Sequence, residues 1–267
     1  MAATDDHSNN NAVVRLVGVH KRFGETIVLD GIALVLKPGQ TTVIIGESGA
    51  GKSVILKHIV RLLRPDRGQV YFRERRIDDL PERDLVDIRP RMGFLFQLSA
   101  LFDSMTVEQN IAFPIYEHTR LNRVEVKDLV RRKLAMVGLD GLQAQWPAEL
   151  SGGQKKRVAL ARAIALDPEL ILYDEPTTGL DPPRADEINE LILKLQSELE
   201  VTSVVVTHDM ASARKVADRI LMLYHGNFIF DGTPDSIAQA EDPRVRCFVE
   251  GRCTDEVLRS LREKGNA

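Results

Sequence analysis

An α/β protein built on a mainly parallel, buried sheet is what this 267-residue chain encodes. Four short runs of β-branched and aliphatic residues, at 41–45, 92–96, 170–173 and 203–207, alternate with helical patterns. Each run gives way at once to a polar residue or glycine: Gly46, Gln97, Asp174 with Glu175, and His208. Ligands of open α/β sheets sit at the carboxyl ends of the strands, so four such ends predict one site assembled from distant sequence.

The elements follow in order. Residues 13–19, 27–29, 32–36 and 69–72 read as short strands of an antiparallel layer beside the parallel sheet. After Gln97 the pattern turns helical, with a helix over 124–137, a loop marked by Pro147 and a helix from Gly152, giving a helical lobe inserted at about residues 98–165. Ile188, Leu191, Ile192, Leu195 and Leu199 recur at helical spacing as a stripe that packs on the sheet. Residues 220–223 and 228–230 flank His225-Gly226-Asn227, a hairpin turn. The domain is expected over 13–240, between a polar tail at 1–12 and a C-terminal extension at 241–267 that includes a short helix around Val257, Leu258 and Leu261.

Composition narrows the function. Hydrophobic residues at 43% and charged residues at 28% fit a globular protein and exclude disordered and collagen-like chains. Basic and acidic residues, 36 against 39, leave a net charge of −3, which argues against a mainly electrostatic nucleic-acid binder. The basic runs at 73–76 and at Lys155-Lys156-Arg157 are accordingly assigned to solvated faces. Cys247 and Cys253 are too few for a disulfide framework, and reduced thiols are expected. The first eleven residues hold no apolar core of a secretory signal, and no apolar stretch reaches the ~18 residues that span a bilayer.

Gly46-Glu47-Ser48-Gly49-Ala50-Gly51-Lys52-Ser53 has the spacing G-x-x-x-x-G-K-[ST] between a strand and a helix, the setting of a P-loop. Its glycines let the backbone curl so that N–H groups point at phosphate oxygens, and the helix start adds positive potential. Lys52 reaches the β- and γ-phosphates in such a loop, and the Ser53 hydroxyl ligates Mg²⁺. The strand 170–173 running into Asp174 and Glu175 has the form of a Walker B segment: Asp174 would hold Mg²⁺ opposite Ser53, and Glu175 would polarise the attacking water. Ser151 with Gln154 makes an S-x-x-Q capping box, while Gly152 and Gly153 leave the helix start unshielded, a second anion site.

With Leu150-Ser151-Gly152-Gly153-Gln154 reading LSGGQ, the chain resembles the nucleotide-binding subunits of ATP-binding-cassette (ABC) transporters over roughly residues 13–240. A Q-loop glutamine at Gln97, a D-loop at 179–182 with Asp181, and a switch histidine at His208 follow in the family's order. The resemblance implies a head-to-tail dimer, a second ATPase subunit closing ATP between one P-loop and the partner's Ser151–Gly153 segment. It assigns catalysis to Glu175, His208, Gln97 and Lys52, and metal binding to Ser53, Gln97 and Asp174. ATP binding falls to Phe23, Gly46, Glu47, Ser48, Gly49, Ala50, Gly51, Lys52, Ser53, Ser151, Gly152, Gly153, Gln154 and Asp181. Phe23 stands where the family carries an aromatic that stacks on adenine; a core aromatic is the other reading.

Residues 96–107, continuing to Asn110, Ala112, Pro114, Glu117-His118-Thr119 and Leu121, are similar to the MlaF-like ATPases of Mla-type phospholipid transporters, as are Asp242-Pro243-Arg244-Val245-Arg246, Phe248 and Gly251. This implies a peripheral ATPase on the cytoplasmic face of the inner membrane. Its partners would be transmembrane permease subunits, an MCE-domain lipid-binding protein and a small regulatory subunit. Ala100-Leu101-Phe102 is then an interface anchor, or else packing of the lobe. Alternatives are an ATPase for another permease, such as a polar amino-acid importer, and a soluble clamp on nucleic acid.

Overall fold

A computed structural model describes residues 11–252. The expected helix around Val257 lies outside the described residues. The elements are β1 (Val14–Phe23), β2 (Thr26–Leu36), β3 (Thr41–Ile45), α1 (Lys52–Ile59), β4 (Arg67–Phe72), β5 (Arg75–Arg76), β6 (Met92–Leu95), α2 (Val107–His118) and α3 (Arg123–Met136). They continue as α4 (Gly152–Ala163), β7 (Leu170–Asp174), α5 (Pro182–Leu199), β8 (Thr202–Thr207), α6 (Met210–Val216), β9 (Arg219–Tyr224), β10 (Asn227–Gly232) and α7 (Pro243–Glu250).

Two sheets form. One is antiparallel, in the order β2-β1-β4-β5; the other runs β10-β9-β3-β8-β7-β6, parallel throughout except for β10 at its edge. The central strands are buried on both faces, which explains their near-continuous apolar runs. Alternation sorts their side chains: Val43, Ile45, Ile171, Tyr173 and Val205 enter the core under the helical side, while Ile44, Leu170, Leu172, Val204 and Val206 enter the core under the antiparallel sheet. Each fully buried aliphatic contributes about 1.5–3 kcal/mol of transfer free energy.

The two expected strands at 27–29 and 32–36 are one continuous strand, β2. Asp30-Gly31 looks like a turn in sequence, yet its glycine, at φ +75°, lies in a stretch where the pairing of β1 with β2 shifts register. The extra residues of a bulge are absorbed without ending the ladder. The stripe on α5 is as expected, with Ile188, Leu191, Ile192 and Leu195 buried against the sheet.

Between β6 and β7 the chain builds three helices, each started by a side-chain cap. Thr106, Asn122 and Ser151 each form a capping box, with Gln109, Glu125 and Gln154. Their apolar faces, Ile111 and Ile115, Val130 and Leu134, and Val158 with Leu160, join the core under the sheet. The end of α4 touches the sheet at backbone distance: a Cβ on Gly93 of β6 would stand 2.6 Å from the carbonyl oxygen of Ala163.

Of the two cysteines, for which the sequence favours reduced thiols, Cys247 is disulfide-bonded; Cys253 lies outside the described residues. Among the described residues no helix is long and apolar enough to cross a membrane.

Below the sheet Glu169 joins Arg73, through its Nε at 2.9 Å, to Arg91 at 2.5 Å. Burial opposes its charge, yet the two guanidinium groups outweigh burial and hold the carboxyl below the usual glutamate range. A depressed pKa stabilises the fold above the unfolded-state value and loses that contribution as pH falls through the folded one. Glu169→Gln is therefore expected to cost about 1 kcal/mol at pH 7. The gap to wild type should close below about pH 4 in urea titrations; a constant gap down to pH 3 contradicts the assignment. Gly93→Ala is expected to cost about 1–3 kcal/mol through the backbone clash, seen as a lower urea midpoint at unchanged slope.

Candidate functional site

The segment from Gly46 to Ser53 leaves the carboxyl end of β3 and wraps into α1. Gly46 has no room for a side chain: a Cβ there would stand 2.4 Å from the Leu223 carbonyl oxygen. Gly51, at φ +101°, precedes α1 in the left-handed region that a side chain disfavours. Lys52 is buried and turns back over the loop, its ammonium donating to the carbonyls of Gly46 at 2.8 Å and Glu47 at 2.9 Å. Burial pulls its pKa down, with the charge of Glu175 pulling back.

Three neighbouring strand ends complete the constellation. In the order β3-β8-β7, Ile45 pairs with Thr207 and Asp174 with Val206, so Gly46, His208 and Glu175 emerge along one edge. Ser53 donates its hydroxyl hydrogen to Asp174 at 2.6 Å. Burial pushes the Asp174 carboxyl up, and the Ser53 hydrogen bond opposes the rise. The Glu175 carboxylate is buried between Lys52, 3.7 Å from one oxygen, and His208 Nδ1, 2.9 Å from the other. Thr178, which the sequence analysis does not single out, also donates to it at 3.1 Å.

A cleft of about 700 Å³ opens over these groups, lined by Glu47, Ser48, Gly49, Gly51, Lys52, Ser53, Gln97, Glu175 and His208. Phe23 lines it too and is 48% exposed, with the Lys21 ammonium 5.5 Å from its ring centre, so the core-aromatic reading does not hold. Phe248 of α7 is a further wall, which no local pattern in the sequence assigns to this cleft. Backbone N–H donors, a buried ammonium, a hydroxyl–carboxylate pair and an aromatic face suit an anionic ligand with a flat apolar end.

Ser151, Gly152, Gly153, Gln154 and Asp181 do not line that cleft. Ser151 accepts from the Gln154 N–H at 3.3 Å and donates its own N–H to the Gln154 side chain at 2.9 Å, the capping box read from sequence. Asp181 caps α5 by accepting from the Arg184 N–H. A Cβ on Gly152 or Gly153 would meet nothing closer than 3.8 Å, so packing within the chain does not require glycine at either place.

Two expectations need correction or settlement here. Lys156, assigned to a solvated face, is 5% exposed beneath the cleft, because α4 turns that side of its first turns toward the sheet. In the 100–102 segment both readings hold in part: Phe102 is exposed, with its ring centre 5.2 Å from that of Phe113, while Leu101 packs against the core. Leu98 beside them is 90% exposed.

The model of the ABC transporter family matches residues 29–178. A probable ribonucleotide transport ATP-binding protein, mkl of Mycobacterium tuberculosis, is 40% identical over 239 residues, covering 90% of this chain and 67% of that protein. The intermembrane phospholipid transport system ATP-binding protein MlaF of Haemophilus influenzae is 41% identical over 242 residues, covering 91% and 92%. Among solved structures, a dimeric ATP-binding cassette in a post-hydrolysis state with ADP and Pi superposes with a TM-score of 0.77 at 35% identity, covering 83% of this chain and 98% of that one. A glycine-rich loop folded for phosphate beside a buried carboxylate is thus matched by likeness along nearly the whole chain, which belongs to the ABC transporter family and is an ATPase subunit of it.

Proposed function

We propose that this chain powers the movement of phospholipid through separate membrane-spanning subunits, hydrolysing ATP between two copies of itself at the cytoplasmic face of a membrane. The observation that carries the catalytic part is the buried Glu175 carboxylate, held between Lys52, His208 and Thr178 at the mouth of the phosphate loop. There it orients and deprotonates the attacking water. Lys52 and the loop N–H groups cradle the phosphates, His208 contacts the γ-phosphate, and Gln97 senses it from the Q-loop. Phe23 stacks on the adenine.

Ser53 and Asp174 fit Mg²⁺, which takes oxygen donors and ordinarily keeps one or two protein ligands beside phosphate oxygens and water. Gln97, which the family resemblance assigns to the ion as well, lines the same cleft as Ser53. The ion, when bound, neutralises charge on the phosphate oxygens. The hydroxyl and carboxylate, already in contact, hold the place for it.

Ser151, Gly152, Gly153 and Asp181 serve a second copy. The glycine pair has no packing reason within one chain, and bare N–H groups at the start of α4 suit the γ-phosphate held by a partner's loop. The exposed Phe102, Phe113 and Leu98 support docking of a membrane subunit on the lobe. For the cargo, the similarity of residues 96–121 to the MlaF-like ATPases and the end-to-end match to MlaF favour phospholipid, with an MCE-domain protein and a small regulator as further partners.

Glu175→Gln is expected to lower ATP turnover at least ~100-fold while ATP still drives dimerisation, measured by phosphate release and light scattering. Residual turnover near wild type removes Glu175 as base. Lys52→Ala should weaken ATP binding at least ~10-fold in a fluorescent-nucleotide titration; unchanged affinity contradicts the loop assignment. Tagged Glu175→Gln protein with ATP, purified from mildly solubilised membranes, should carry a multispanning permease and an MCE-domain protein by mass spectrometry. A permease accompanied by a solute-binding protein, or one whose vesicles take up ribonucleotide, overturns the lipid assignment.

A further inference from the structure

Lys156 lies two residues beyond the LSGGQ segment, one turn into α4. It is almost wholly buried, and its ammonium donates to two backbone carbonyls, those of Gln97 at 3.2 Å and Glu175 at 3.4 Å. One side chain on the helical lobe thus holds the main chain just past the carboxyl ends of both β6 and β7. The Glu175 carbonyl belongs to unusual backbone. Glu175 has φ +49°, a left-handed conformation that is strained for a residue bearing a side chain. Its N–H is fixed by the Val206 carbonyl at 3.0 Å, so Lys156 holds the other end of the same residue.

We propose that Lys156 is a positioning residue for ATP hydrolysis, tying the backbone of the base Glu175 and of the Q-loop residue Gln97 to the signature helix. This rests on the reading of Glu175 as the base. With both backbone groups of Glu175 clamped, its side chain leaves the strand in one direction, toward Lys52 and His208. The long stem of Lys156 spans from helix to sheet, and its rotating ammonium serves both carbonyls together. Burial lowers the pKa of Lys156, the cost of placing a cation there, and the Glu175 charge opposes that shift. Loss of the ammonium leaves the Glu175 carbonyl with the Thr178 N–H, at 3.2 Å, and takes away its tie to the signature helix, while the Gln97 carbonyl loses its hydrogen bond from Lys156. The effect reaches the water-activating carboxylate through the main chain of Glu175 and Gln97.

The test uses the full chain with the membrane subunits that co-purify with it. Lys156→Met is expected to lower kcat at least ~10-fold with KM for ATP within ~3-fold of wild type, since misplacement of a reacting group costs turnover and not ground-state binding. Lys156→Arg, which keeps charge and donors, should recover at least a third of wild-type kcat. Should the methionine variant fail to melt cooperatively, Lys156→Gln carries the test, its single amide giving a kcat between those of the methionine variant and wild type. Wild-type kcat in Lys156→Met or Lys156→Gln, a change confined to KM, or an arginine variant as slow as methionine overturns the proposal. If Glu175→Gln itself turns over normally, the base assignment falls and takes this inference with it. A fast Lys156→Met beside an inactive Glu175→Gln removes the positioning role alone.

Discussion

Lys52 and Glu175 lie 3.7 Å apart with almost no water around either, and the geometry of the cleft depends on that pair. A lone charge at such a depth would shed or take a proton to escape the desolvation penalty. Here the ammonium is held by two loop carbonyls and faces a carboxylate, and the carboxylate is held in turn by His208 and Thr178. The pair exists because β3 and β7 flank β8 in parallel register, so that the loop and the acid leave the sheet side by side. An incoming polyphosphate meets a site whose cation is already desolvated and aimed. Little reorganisation remains when charge shifts in the reaction, which is the condition under which fixed dipoles and charges lower a barrier most.

Much of this site was legible before any coordinates. The loop Gly46–Ser53, Asp174 with Glu175, and Ser151 with Gln154 are local words, in which spacing alone fixes a turn, a strand end or a cap. What escaped is what depends on partners far away in the chain. Lys156 reads as part of a solvated basic run until α4 is laid against β6 and β7. Thr178 and Phe248 reach the cleft from loop and helix positions with no periodic signal of their own. Asp30-Gly31 shows the opposite failure. The break expected between strands at 27–29 and 32–36 was overridden because neighbouring strands supplied enough pairing to carry β2 through a register shift.

The fold also separates two kinds of precision. The sheet, buried on both faces, fixes the strand ends that hold Lys52, Glu175 and His208. The helical lobe shares the apolar core under the sheet, and to the strand ends themselves it is fastened by a polar link, Lys156 on the Gln97 and Glu175 carbonyls. Polar links of this kind switch between made and broken, whereas packed aliphatic layers resist small displacements.

The backbone contact of Gly93 with Ala163 gives this separation a mechanical meaning. It stands at the far end of α4 from Ser151, so the helix is a lever with its fulcrum pressed on the sheet. A rise of about 1.5 Å per residue makes that lever about 16 Å long, and each degree of tilt carries its tip about 0.3 Å and Lys156 about 0.2 Å. Hydrogen bonds already at 3.2 and 3.4 Å do not survive more than a few such degrees. A tilt that moved the LSGGQ end by an ångström would lengthen both Lys156 hydrogen bonds together, a gear ratio set by where one glycine lets helix and strand touch.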